Sequence, residues 1–250
     1  MAYATEELAE LALRLVEEAE RRGAQLRLLG GLAVYMNAPK GARLPELQRS
    51  YGDVDFVVNL KGAKVLNAVF SSQGWQDDHY FNALHGATRL LYYYQDSLQA
   101  DIFIGAFAQC HKLELEKRLK LSSPTLPLAD LLLTKLQIHQ LNAKDVQDVF
   151  ALLYDHGFRQ DSGSEPIDLP YITGLAGEDW GWYTTLHDNL DQLVTLVGEI
   201  LDEESAERVS GRLEELRAAL EATPKSVRWK LRNQIGRRML WYDEPEEVKR

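Results

Sequence analysis

Three aspartates stand in apolar surroundings. Asp53 and Asp55 lie in Asp53-Val54-Asp55-Phe56, and Asp101 lies in Ala100-Asp101-Ile102-Phe103. On a strand, residues two apart share a face, so Asp53 and Asp55 point one way while Val54 and Phe56 point the other. If the strand of Asp101 lies beside theirs, the three carboxylates converge. Converging anions repel one another unless a cation or a proton offsets them. Mg²⁺ favours oxygen ligands and binds through carboxylates together with phosphates. Two such ions clamp the attacking and leaving oxygens of a phosphoryl or nucleotidyl transfer.

Upstream, Leu28-Leu29 runs into Gly30-Gly31 and then into LAVYMN. Two glycines between a strand and a helix let backbone amides approach an anion, and the helix N-terminus favours negative charge. Taken singly, a Gly-Gly is usually a tight turn, an Asp-x-Asp a loop-edge pair, and a strand-edge aspartate a strand start. The order of the pieces carries the reading: strand, Gly-Gly, helix, paired acids on an apolar strand, then a third strand acid.

The elements that must position these residues follow from periodicity. Residues 5–22 read as a helix with Thr5 as N-cap, Glu6 and Glu7 in its first turn, a stripe of Leu8, Leu11 and Leu15, and Gly23 as stop. Residues 25–29 read as a strand and 39–52 as a loop. Residues 53–58 read as a strand and 61–72 as a helix. Short strands are expected at 75–79, 85–94 and 98–104, where LLYYY and DIFI concentrate β-formers. Helices are expected at roughly 127–141, 143–156, 178–202, 204–222 and 225–240, with a surface connection at 160–170. The pattern predicts an α+β chain: an α/β domain over residues 1–125, then a helical domain over 126–250.

The helical pair adds an independent sign. Lys135 projects into an apolar arc of Leu128, Leu131, Leu132 and Leu136, and Asp145 projects between Val149 and Leu152, with Asp148 at the edge. An inward charge needs a partner. Lys135 and Asp145 either clamp the two helices structurally or border a cleft; Asp145 also suits a capping box from Asn142. His139, close to the same line, reads as a core histidine, and His85 as structural.

The whole chain bounds what these residues serve. Its 250 residues suffice for a sizeable core. Its single cysteine, Cys110, excludes an internal disulfide and a multi-cysteine zinc site, which fits a reducing cytosol. No apolar run reaches membrane-spanning length, and the acidic N-terminal stretch lacks the order of a signal peptide. The net charge of −10 repels polyanions as a whole. Residues 225–238 alone run counter to it, with six basic residues, no acid and Trp229. That segment reads first as a solvated helix face and second as a docking surface for RNA, tRNA included.

With Gly30, Gly31, Asp53, Asp55 and Asp101 in this order, the sequence resembles the nucleotidyltransferase superfamily of the polymerase β type. It looks closest to the AbiEii/AbiGii toxin-type nucleotidyltransferases, through the stretches Asp130 to Lys135 and Lys144 to Asp148. The resemblance covers roughly residues 25–156. It implies a mixed sheet with flanking helices, a helical C-terminal domain, Mg²⁺ as cofactor and a nucleoside triphosphate such as ATP as substrate. On that likeness Asp53, Asp55 and Asp101 hold metal, and Asp101 holds metal or acts as base. Gly30, Gly31, Arg49 and Lys135 meet the nucleotide, with Lys135 also offsetting developing charge. The acceptor would be tRNA, protein or a small hydroxylated molecule, and a toxin-type enzyme would have an antitoxin partner. The connection from Gly31 to Asp53 is longer than in the minimal motif; the 39–52 loop absorbs it, and Arg43 and Arg49 would reach a phosphate from there. The rival readings are a non-catalytic nucleotide-binding module on the same fold and an interaction protein whose acids are structural.

Overall fold

A computed structural model describes residues 3–95, 97–159 and 165–244. The chain divides into two compact units. One comprises residues 1–36, 49–107 and 112–127, and the other 37–48, 108–111 and 128–250.

The first unit is built on a five-stranded mixed sheet of order β1-β2-β5-β4-β3, formed by β1 (Leu26–Leu29), β2 (Asp53–Val58), β3 (Trp75–Asp77), β4 (Arg89–Tyr94) and β5 (Leu98–Ile104). β2 and β5 run parallel, with Asp55 opposite Asp101; the other neighbours are antiparallel. Period-two alternation sends Val54, Phe56, Ala100 and Ile102 into the core, all fully buried. The helix α3 (Leu66–Ser72) covers that face. Its Phe70 ring stacks on Tyr92 of β4 at 4.2 Å and meets Phe56 edge-on at 6.1 Å. Trp75 is buried in the same cluster, 5.7 Å from Phe70. The helix α1 (Thr5–Arg21) buries Leu8, Leu11 and Leu15 as its stripe predicts. Its N-cap, however, is Ala4, whose N–H donates to the Glu7 carboxylate at 3.0 Å, and not Thr5.

Two expectations for this unit are corrected. The strands expected at 75–79 and 85–94 each lose their inner end to α4 (His79–His85), begun by Asp78, whose carboxylate accepts from the Phe81 N–H at 2.9 Å. The following strand therefore starts at Arg89 and not at 85. The other sequence-predicted strands lie where expected, and α2 (Gly30–Asn37) follows β1 directly.

The second unit is helical: α5 (Leu128–Leu136), α6 (Ala143–Asp155), α7 (Leu169–Glu178), α8 (Trp180–Ile200), α9 (Glu203–Ala222) and α10 (Val227–Ile235). Residues 37–48 belong to it, with Lys40 and Gly41 donating backbone N–H groups to Asp155 Oδ2 at 2.8 and 3.3 Å. Three of these helices are shorter than the sequence suggests. α5 stops at Leu136, ahead of Gln140, whose φ is +67°. α8 begins at Trp180 behind Asp179, which caps it. α10 ends at Gly236, φ +60°. The expected connection at 160–170 lies partly outside the described residues. Its end holds an unexpected helix start, with Asp168 as N-cap and Pro170 in the first turn of α7. The class is thus α+β, a mixed sheet with helices followed by a helical region. No helix among the described residues is long and apolar enough to cross a membrane.

Candidate active site

The site begins where β1 becomes α2. Gly30 opens the helix with φ +73°, a conformation L side chains rarely adopt. The Asp55 carboxylate lies against it so closely that a Cβ on Gly30 would stand 2.1 Å from Asp55 Oδ2. Gly31 is bare for a matching reason. A Cβ there would stand 1.9 Å from an Arg49 guanidinium nitrogen. Arg49 in turn lies over the Tyr51 ring, 4.3 Å from its centroid, and Tyr51 packs on Tyr35 at 5.6 Å. The two glycines therefore serve two different neighbours, one anionic and one cationic. The Asp55 carboxylate thus lies beside the N-terminal end of α2, where the helix dipole favours an anion.

Across the sheet face, Asp53 and Asp55 are both half-buried on β2, and Asp101 is buried beside Asp55 on β5. The parallel register puts these carboxylates on one face, as the sequence predicts. Asp101 differs from the expectation in its partner. Arg89 on β4 grips it with both arms of its guanidinium: Nε donates to Oδ1 at 2.7 Å and Nη2 donates to Oδ2. The Arg89 guanidinium also lies 5.0 Å from the Phe103 ring centroid and 6.0 Å from that of Phe81 on α4, whose ring stacks on His85. Asp101, expected as a metal ligand or base, is thus also the ion-pair partner of Arg89. Among the described residues no group of three His, Cys, Asp or Glu is placed to hold a metal ion. The donor set fits Mg²⁺ through the two carboxylates Asp53 and Asp55, the one-or-two-carboxylate mode that phosphates complete.

Arg89 escaped the sequence reading, yet a signal existed. The turn pairing Tyr94 with Leu98 fixes the antiparallel register, which sets Leu91 opposite Asp101 and Arg89 opposite Phe103. Arg89 is then the diagonal same-face neighbour of Asp101.

The remaining predicted residues lie in the second unit. Lys135 is held there by two carboxylates, Asp148 at 2.9 Å and Asp145 at 3.3 Å, with all three side chains at most 13% exposed. Asp145 also donates its backbone N–H to the capping Asn142 side chain. Arg43 donates to the Pro39 carbonyl at 2.5 Å. His139 packs its ring on Tyr242, centroids 4.0 Å apart. In the basic segment, Lys225 and Arg232 donate to nearby backbone carbonyls and Arg237 pairs with Asp188 at 2.5 Å. Three of its six cations are thereby tied into local structure.

No family model matches the sequence, and no curated protein matches it. Among solved structures, the chain is similar to the solution structure of the antibiotic-resistance factor ANT(2'')-Ia. The likeness has 12% identity and a TM-score of 0.36, over 87% of this chain and 97% of that one. A likeness of that size assigns neither fold nor activity.

Proposed function

We propose that the chain is a Mg²⁺-dependent nucleotidyltransferase that moves a nucleoside monophosphate from a triphosphate to an acceptor hydroxyl. The observation that carries this reading is the packing of Asp55 onto Gly30 at the start of α2, with Asp101 in register beside it. One short stretch of sheet face then offers amides for phosphate, paired acids and a third carboxylate. The sequence resemblance supports the same reading.

In this reading the start of α2 and Arg49 bind the triphosphate. Asp53 and Asp55 hold Mg²⁺, which when bound offsets phosphate charge during transfer. Asp101 accepts the acceptor's hydroxyl proton. The acceptor oxygen bonds to the α-phosphorus, the bond to the bridging oxygen breaks, and pyrophosphate leaves with the electron pair. Lys135 is assigned to the helical clamp with Asp145 and Asp148, not to the nucleotide.

Calorimetry of Mg²⁺ and nucleotide tests the binding half. Asp53→Ala with Asp55→Ala is expected to weaken affinity by about 100-fold, or about 2.7 kcal/mol. Unchanged affinity refutes the site. Incubating labelled triphosphates with RNA, protein and small hydroxylated compounds tests the transfer half, since covalent label should require Asp101. A toxin role adds growth arrest on induction, relieved by the same double substitution and by a cognate antitoxin.

A second reading, nucleotide binding without transfer, is favoured by one observation: Arg89 occupies both oxygens of Asp101. It predicts tight nucleotide binding and no labelled product with any acceptor.

A further inference from the structure

The sheet face has an order. Arg49 and the glycine turn lie at β1, Asp55 on β2, Asp101 on β5 and Arg89 on β4. A triphosphate held at the β1 end leaves the β4 end, with Arg89 and Phe81, for the acceptor. While Arg89 donates to both Asp101 oxygens, an acceptor hydroxyl must compete with it for the lone pairs there. Nor does Arg89 let go readily. Its side chain is 18% exposed and faces two phenyl rings, so stripping its counter-anion is strongly disfavoured. An anion that takes the carboxylate's place on Arg89 would release it. A guanidinium fork fits phosphate as well as it fits carboxylate. A polycationic acceptor would instead set positive charge against Arg89.

We infer that the acceptor is an anionic hydroxyl compound, one bearing a phosphate or carboxylate near its reacting hydroxyl. That anion takes over Arg89 and frees Asp101. The inference rests on the transferase reading above and deepens it by naming the acceptor's charge. Arg89 is a positioning residue: it recognises the acceptor's anion and withholds the base until that anion arrives. When it does, the hydroxyl proton passes to a carboxylate oxygen of Asp101 as the new bond to the α-phosphorus forms and pyrophosphate departs. The phosphate could belong to a free sugar phosphate or to a nucleic-acid backbone, which share the same chemistry.

The test measures binding, with the full chain holding Mg²⁺ and a non-hydrolysable triphosphate analogue. The probes are ribose, ribose 5-phosphate and a tetranucleotide RNA. At least one phosphate-bearing probe should bind the wild type, while ribose should not. Arg89→Gln should weaken that binding by about tenfold or more, and Arg89→Lys by less. Asp101→Asn should tighten it by about tenfold, because the internal competitor for Arg89 is gone and the competent fraction rises. A merely structural pair predicts weaker or unchanged binding in Asp101→Asn. Melting temperatures identify any variant that fails to fold, and Arg89→Lys then carries the comparison. An Arg89 dependence confined to ribose 5-phosphate assigns a small acceptor, and one confined to the tetranucleotide assigns a nucleic acid. Both support the inference. It is overturned if neither phosphate-bearing probe depends on Arg89, if ribose binds equally well, or if Asp101→Asn fails to tighten binding. Loss of nucleotide affinity in the Asp53 and Asp55 variant alongside such a result overturns this inference alone. Nucleotide affinity indifferent to Asp53 and Asp55 overturns the transferase reading instead.

Discussion

Two buried clusters pair a cation with aspartate, one in each unit. On the sheet face, Arg89 holds Asp101, and half-buried Asp53 and Asp55 continue the row of acids. In the helical unit, Lys135 is held by Asp145 and Asp148 among leucines and valines, where two anions meet one cation. The first pair lies in register with further carboxylates on the sheet face; the second ties α5 to α6, two helices with largely buried apolar residues. On the proposed reading, an inward charge on an apolar stripe is not enough to mark a site; a row of acids beside a glycine turn is the stronger sign.

The sharpest way to break this contrast is Lys135→Met. It leaves two carboxylates buried without their cation and should cost about 3–5 kcal/mol in urea unfolding. Replacing Asp145 and Asp148 by apolar residues as well should recover much of it. Nucleotide affinity of the folded protein should stay unchanged, and a fall would move Lys135 into the site.

His111 gives the next effect, again in the helical unit. Burial lowers its pKa to about 4 from 6.5. Thr185 Oγ1 accepts from the Trp241 indole N–H at 3.1 Å and lies 2.8 Å from His111 Nε2, an arrangement suited to a neutral ring that accepts the Thr185 hydroxyl proton. Between pH 6.5 and 4 the unfolded chain therefore binds more protons at this residue than the folded one. Its contribution to stability is intact above pH 6.5 and falls by about 3 kcal/mol on descending to pH 4. His111→Gln should show a flatter unfolding free energy over that window; an identical slope would refute the assignment.

Gly30→Ala is the smallest perturbation and the one aimed at the sheet face. Its left-handed backbone alone should cost about 1–2 kcal/mol, and the new methyl must displace the Asp55 carboxylate. Thermal unfolding and calorimetry together should show modest destabilisation with a disproportionate loss of nucleotide affinity. Intact affinity would mean that Asp55 does not need its place on the glycine.

Much of the sheet was legible because alternation is a local signal. β2 and β5 announce themselves by apolar residues at every second position, and the shared face of the aspartates follows. α4 was hidden because HYFNALH is rich in aromatics that suit strands, while the deciding feature is a cap from Asp78. α7 was hidden because Pro170 read as the end of a surface connection, although proline in a first turn fits a helix start. Arg89 was missed because the reading ran along each strand, whereas its pairing runs across the hairpin. The pairing of Lys135 with Asp145 was one of the readings that helix geometry left open, since both charges point into apolar arcs; Asp148 joins them.

The five tryptophans divide unevenly between the two units. Trp75 lies alone in the sheet unit, buried against Phe70, while Trp180, Trp182, Trp229 and Trp241 lie in the helical one. The protein thus carries its own spectroscopic labels. Emission from a Trp75→Phe variant reports the helical unit alone, and its difference from the wild-type signal isolates the sheet. Whether the two units melt together or in sequence can therefore be seen by intrinsic fluorescence, without attaching a dye.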